Sequence, residues 1–288
     1  MRENAMDLKT LQDTPPWDWP RDAGRLFLKI LIDRRADESE RLVAATLAGD
    51  FTVINDDLAD ALLTVVGSAN EPERLRARSA ISLGPVLEQA DSAGFEDPDD
   101  VPITERTFRH IQNSLQKLYL DSSTPKEVRR RILEASVRAP ETWHKDAIGN
   151  AYSRGDKEWM LTAVFSMRWV RGFDSQILAA LKSADPEIHY EAVNAAGDSE
   201  LDAAWSHIVQ LVKDTHTPRP LLLAAIGAVG SIRPAEARKI LADLAGSDDE
   251  EIAEAAEEAI SMTEAVPDDE DDDQPLLGQP EKTDKWVN

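Results

Sequence analysis

Five histidines (His110, His144, His189, His207 and His216), seven tryptophans and a large surplus of carboxylates are the groups through which this chain would do chemistry. Cysteine is absent, which removes thiolate metal sites, disulfides and a Cys nucleophile. None of the histidines is followed directly by Glu, and His189 and Glu191, two apart, point to different sides of a helix. No metal site and no cofactor is therefore expected. Neither phosphate-binding glycine pattern, G-x-x-x-x-G-K-[ST] or G-x-G-x-x-G, occurs, nor does the G-x-S-x-G elbow. With 55 Asp and Glu, paired carboxylates arise by number alone and point to no acid–base pair. No catalytic residue emerges.

What remains is a set suited to binding. Trp143 and His144 stand together, Trp205 and His207 recur about two periods later, and Arg168-Trp169-Val170-Arg171-Gly172-Phe173-Asp174 lies between them. Trp and Arg are the residues most enriched in binding hot spots. With Arg129, Arg130 and His189 they form a candidate partner-binding set. Its charge differs from that of the chain as a whole, which carries −23. Residues 101–182 hold 14 Lys/Arg against 9 Asp/Glu. An acidic molecule repels nucleic acid and anionic lipid, and a basic middle favours an acidic protein or peptide. Aromatics more often fill cores than surfaces, so Arg168 and Arg171 are the stronger surface candidates.

The elements that must carry these residues repeat at intervals of about 30. Thr124-Pro125-Lys126-Glu127, Asp185-Pro186-Glu187, Thr217-Pro218-Arg219 and Asp248-Asp249-Glu250 each open a helix. Apolar anchors follow at Val128, Trp159, Ile188, Leu221 and Ile252. Four and seven residues beyond them stand Ile132/Ala135, Ala163/Ser166, Ala192/Ala195, Ala225/Ala228 and Ala256/Ala259. Residues at +4 and +7 share one helix face, so small ones there admit a close neighbour. Earlier copies are anchored at Leu42 and at Leu75, with Ser79 and Ser82. Gly84, Gly197 and Gly230 occupy +9. A helical pair repeated this way buries its apolar face only by stacking, so the fold class is all-α, an α-solenoid of antiparallel helix pairs.

Three segments are expected. Residues 1–20 are an irregular N-terminal segment in which Trp17 and Trp19 cap the stack, because three prolines oppose a helix. Residues 21–263 are the solenoid, with repeats at 124–154, 155–183, 184–214 and 216–247. The step from Leu75 to Val128 is about 20 residues too long, which places an insertion near 93–103. Residues 264–288 carry the run Asp268–Asp273 and too little apolar area to offset chain entropy, and read as a disordered acidic tail ending in Lys285-Trp286-Val287-Asn288. The acidic run is a candidate to fold back on Arg129–Arg131. No signal peptide and no apolar run long enough for a membrane is visible, giving a cytoplasmic expectation.

The run Asp185-Pro186-Glu187-Ile188-His189-Tyr190-Glu191-Ala192-Val193-Asn194-Ala195-Ala196-Gly197, with weaker copies around Val128, Leu221 and Ile252, resembles bacterial HEAT-repeat proteins of the phycobilisome-lyase-like type. The resemblance covers about 37–263 and implies a superhelix of the sort used by scaffolds, adaptors, transport receptors and a few enzymes. With the Trp/Arg cluster and basic middle, the expected function is a non-catalytic scaffold binding a protein or peptide on the middle repeats. The alternative is a HEAT-like enzyme or DNA-modifying protein. The similar di-iron hydroxylases that modify a lysine in a translation factor use adjacent His-Glu pairs, absent here. The similar alkylpurine DNA glycosylases use aromatics, an Asp and an Arg on a basic groove, and Trp143, Asp146, Arg168 and Trp169 would have to fill those roles.

Overall fold

A computed structural model describes residues 7–264 apart from 51, 98 and 99, and all regular structure among them is helical. The acidic-tail expectation and its run Asp268–Asp273 lie outside the described residues. The order is α1 (Leu8–Gln12), a 3-10 turn (Pro16–Asp18), α2 (Ala23–Ile32), α3 (Glu38–Ala48), α4 (Asp56–Gly67), α5 (Glu73–Ser82), α6 (Gly84–Ala93), α7 (Glu105–Leu120) and α8 (Lys126–Ser136). There follow α9 (Thr142–Ser153), α10 (Lys157–Ser166), α11 (Asp174–Ala180), α12 (Pro186–Asp198), a second 3-10 turn (Asp202–Ala204), α13 (Trp205–Lys213), α14 (Arg219–Ile232), α15 (Pro234–Ala245) and α16 (Glu250–Glu264).

Two layers result. One is the succession α3, α5, α8, α10, α12, α14 and α16, each packed on the next; the other contains α2, α4, α7, α9, α11, α13 and α15. Helix starts are fixed locally: Asn55, Thr104, Asp156 and Asp185 accept backbone N–H bonds in the first turns of α4, α7, α10 and α12. Each +4 and +7 residue from Ser79 through Ala259 is buried. The small-residue stripe is therefore the contact line between successive helices of the first layer.

Glycine at +9 sets the closeness of that contact. A Cβ on Gly197 would lie 3.0 Å from Cα of Ala228, and one on Gly230 would lie 3.2 Å from the Ala259 carbonyl oxygen. Each partner is the +7 residue of the following repeat. Gly49 belongs to the same series, because its Cβ would lie 2.4 Å from the Ser82 carbonyl oxygen. This shifts the first repeat's register: the anchor slot is Glu40, not the half-buried Leu42. α3 opens the layer, so its anchor slot has no preceding helix to face and a carboxylate occupies it in solvent.

A buried or half-buried arginine ties each early repeat to the helix before it. The side chain of Arg41 donates to the Leu31 carbonyl, Arg76 to that of Val66 and Arg129 to that of Tyr119, at 2.8–3.3 Å. A cation at the C-terminal end of a helix satisfies orphan carbonyls and complements the dipole.

The insertion differs from expectation. α7 occupies the second-layer slot between α4 and α8, so the added element is all of α6 with the loop after it, not 93–103 alone. Gly84-Pro85 begins that helix because proline is tolerated in a first turn. Phe95 packs on Phe108 at 5.4 Å and Val101 is buried, so the loop's apolar residues face inward. The N-terminal segment also holds a short helix, α1, ahead of the prolines and packed on α3. Trp19 packs edge-on against Phe27 and its indole N–H donates to the Leu11 and Thr14 carbonyls, whereas Trp17 is 79 % exposed. Trp19 covers the end of the stack and Trp17 does not.

Candidate partner-binding site

The sequence-derived set does not converge on one surface. Trp143 sits 5.2 Å from Tyr119, which in turn meets the fully buried Trp159 edge-on. Arg129 lies over both Tyr119 and Trp159, and Arg154 over Trp159 at 4.7 Å. His144 is wholly buried. Its Nδ1 accepts the Glu141 N–H at 2.8 Å, which leaves Nε2 to donate to Ser136 Oγ at 3.0 Å. Burial pulls the His144 imidazole down to about 4, so it is a neutral core residue and not a partner contact.

Arg168 and Trp169 follow the other end of α10, about 15 Å along the axis from Trp159 by helix rise. There Arg138 and Arg168 stack over Trp169 at 5.1 and 5.0 Å. Glu88, on the inserted helix, pairs with Arg138 and accepts the Trp169 indole N–H at 3.2 Å. Arg168 pairs with Asp198. The inserted α6 thus covers part of this cluster. Trp143 packs on Tyr119 and His144, and among the described residues no hydrogen bond, ion pair or ring contact joins it or Asp146 to Arg168 or Trp169.

The basic island is largely neutralised from within. Arg130 is buried, pairs with Glu127 at 2.7 Å and donates to Thr162 Oγ1 at 2.9 Å; that hydroxyl donates to Glu134 at 2.6 Å. Arg131 spans Glu127 and Glu134 at 2.8 and 2.6 Å. Arg129 and Arg130 are therefore structural, and Arg129–Arg131 is not the open basic face expected for the acidic run. Arg171 and Asp174 are exposed at the α10–α11 turn with no ion pair among the described residues. Two residues remain further along: His189 meets His207 with 2.8 Å between their Nε2 atoms, and Trp205 lies under Arg233.

The residues missed by sequence reading are on α5. A groove of about 820 Å³ runs across α3, α5 and α8. Leu42, Val43, Leu47, Ala77 and Ile81 give it apolar lining, and Arg74 and Arg78 stand along it together with the carboxylates of Glu73 and Glu127. Both arginines are exposed, one helical turn apart, and neither has an ion pair or hydrogen bond among the described residues. Their i,i+4 spacing without an acid at the matching position on α5 was the available signal.

Among the described residues no three His, Asp or Glu side chains are grouped to hold a metal ion, and no helix is long and apolar enough to cross a membrane. Comparison with curated proteins gives no match. Among solved structures the chain is similar to the X-ray structure of YibA from Escherichia coli, at 15 % identity over 92 % of this chain and 90 % of that one, with a TM-score of 0.44. Human deoxyhypusine hydroxylase in complex with glycerol is similar at 16 % identity over 89 % and 88 %, TM-score 0.39. A designed armadillo repeat protein is similar at 16 % over 83 % and 98 %, TM-score 0.33. Residues 175–261 match the family model of HEAT repeats, and the helix pairing and glycine register of that segment run back to α3. The described residues form an all-helical α-solenoid whose segment 175–261 is similar to HEAT repeats.

Proposed function

We propose that this protein is a non-catalytic interaction scaffold that binds an acidic protein segment bearing apolar side chains, in the groove across α3, α5 and α8. The observation that carries this reading is the pair Arg74 and Arg78, beside apolar walls and without an ion pair among the described residues, in a chain of net charge −23. Guanidinium groups recognise carboxylates in bidentate fashion, and apolar lining supplies the buried area that a charged rim cannot. The middle repeats, by contrast, spend most of their arginines on their own carboxylates.

The test is affinity capture from parent-cell extract with wild type, Arg74→Glu/Arg78→Glu and Arg168→Glu/Arg171→Glu, each checked for unchanged helicity. A salt-sensitive partner lost only from the α5 variant is expected. Loss only from the Arg168/Arg171 variant would move the binding face to the middle repeats, and identical partners for all three would overturn both placements.

A further inference from the structure

A ladder of ion pairs joins the starts of successive first-layer helices, and one rung is replaced by proline. The cation two residues before each anchor reaches forward to acids three and one residues before the next anchor. Lys126 reaches Asp156 and Glu158, Lys157 reaches Asp185 and Glu187, and Arg219 reaches Asp249 and Glu251. Between α12 and α14 the cation slot holds Pro186 and both acid slots hold proline, Pro218 and Pro220. The substitution is complete on both sides, so no charge is left stranded. In place of the rung is a groove of about 430 Å³ walled by those prolines with Leu161, Tyr190 and Leu221. Tyr190 is among the few large apolar side chains exposed, at 38 %. The groove's charged residues are Glu191 and Glu187, the latter already bridged by Lys157 from the neighbouring helix; no Lys or Arg lines it. Among the described residues no ion pair reaches Glu191, and burial raises its carboxyl above the usual range against the opposing pull of the Arg168 charge. The groove fits an aromatic side chain with a cation beside it.

We infer that the occupant is this chain's own segment Lys285-Trp286-Val287. Beyond Trp205 the sequence has one aromatic residue, Trp286, and beyond Lys239 its only cations are Lys282 and Lys285, which precede that tryptophan. The acidic run Asp268–Asp273 has the sign of Glu191 and gains nothing from the groove, so the attraction is confined to the far end of the segment. Reach is sufficient. From the end of α16 back to the starts of α12 and α14 is about 22 Å of helix and two interaxial steps of 8–10 Å, roughly 30 Å in all. The 22 residues from Glu264 to Trp286 extend to at most about 75 Å. Tethering then gives the segment an effective concentration on the order of mM. This inference stands apart from the α5 groove and does not depend on it.

The natural absence of cysteine makes the test direct. In the full chain, Pro220→Cys/Val287→Cys is compared with Lys239→Cys/Val287→Cys, whose first cysteine lies on exposed α15 next to α16. In a glutathione redox buffer the Pro220 pair is expected to form an intramolecular disulfide at least tenfold more readily, and Trp286→Ala to abolish that advantage. Equal formation in the two pairs, or an advantage that survives Trp286→Ala, would overturn the inference. Disulfides that form only between molecules, in proportion to protein concentration, would also overturn it by giving the groove to a second copy.

Discussion

The contact between α12 and α14 and the contact between α8 and α10 occupy equivalent places in the solenoid and are made of opposite materials. In the first, Gly197 lets the backbone of α12 approach Ala228, and Ala192, Ala195, Ala225 and Ala228 are buried around it. In the second the +9 slot is Val137, and the interface holds Arg130, Glu134 and Thr162, all buried. The equivalents of those three on α12 and α14 are Tyr190, Asn194 and Ala224. Helices that meet through glycine leave no room for long side chains, whereas helices held apart can bury an ion pair. A buried pair with its hydrogen bonds complete adds little net stability, but removing one partner is costly. The polar contact therefore penalises any arrangement that leaves one of its partners alone, and the apolar contact supplies cohesion.

The largest effect is expected at the polar contact. Arg130→Ala leaves Glu134 and Thr162 buried with only Arg131 in support. It should cost about 3–4 kcal/mol, near the lower end for a broken buried pair, read as a lower midpoint in urea unfolding. The triple change Arg130→Met/Glu134→Leu/Thr162→Val should restore wild-type stability or exceed it. A neutral Arg130→Ala, or a triple variant worse than the single one, would sink the distinction drawn between the two contacts.

The second effect carries that polarity into the neighbouring layer. His144 in α9 titrates near 4 in the fold against an ordinary value of 6.5, because burial penalises the imidazolium. A depressed folded value means that its contribution is fully present above about pH 6.5 and is lost as pH falls toward 4. At 1.36 kcal/mol per unit the loss amounts to roughly 3 kcal/mol at most. Urea midpoints measured from pH 7 to 4 should fall over that window, and His144→Gln should flatten the fall. An unchanged slope in the variant would place the acid sensitivity elsewhere.

These two contacts also show what the sequence disclosed. Anchors and small stripes were legible because they recur down the later repeats, and Gly197 and Gly230 because they share one step and answer to backbone geometry, although Val137 and Arg168 fill that step in the repeats between. Leu42 was misread as an anchor because the end repeat lacks the neighbour that makes its slot apolar; Arg41, Arg76 and Arg129, all hooked to a preceding carbonyl, give the right register. α6 was hidden because Gly84-Pro85 resembles a break and functions as a start. Arg129–Arg131 resembled an open basic face, although Glu127 and Glu134 lie at helical spacing on either side. Charge counted along the chain does not reveal which charges are already paired, and for the same reason Arg74 and Arg78 passed unnoticed.

A smaller effect is expected at the apolar contact. Gly197→Ala gains helix propensity, on the order of 0.5–1 kcal/mol, but places a methyl 3.0 Å from Cα and 3.1 Å from Cβ of Ala228. The net result should be destabilising by about 1 kcal/mol, the low end for overpacking. Gly49→Ala should be worse, since its methyl would meet a backbone oxygen at 2.4 Å. A double-mutant cycle of Gly197→Ala with Ala228→Gly should recover part of the loss, because the two sites share one contact. A stabilised Gly197→Ala would show that α12 and α14 separate at no cost, and would remove the close approach from the comparison.

The least effect belongs to the ion-pair ladder, for a reason that separates it from the helix caps built of the same residues. Lys157 bridges Asp185 and Glu187 at 2.7 Å, yet its side chain is 54 % exposed. Exposed pairs of this kind contribute little and are screened by salt. Lys157→Met should leave the thermal midpoint within error, with any small change vanishing in 1 M salt. Asp185 also accepts the N–H groups of Glu187 and Ile188 at the start of α12. Asp185→Ala should therefore lower the midpoint clearly and do so at high salt as well, since a cap satisfies backbone donors that nothing else reaches. Equal, salt-sensitive losses in the two variants would instead make the ladder a source of cohesion. The proline-for-charge exchange at Pro186, Pro218 and Pro220 would then cost the α12–α14 contact stability that its close backbone approach must offset.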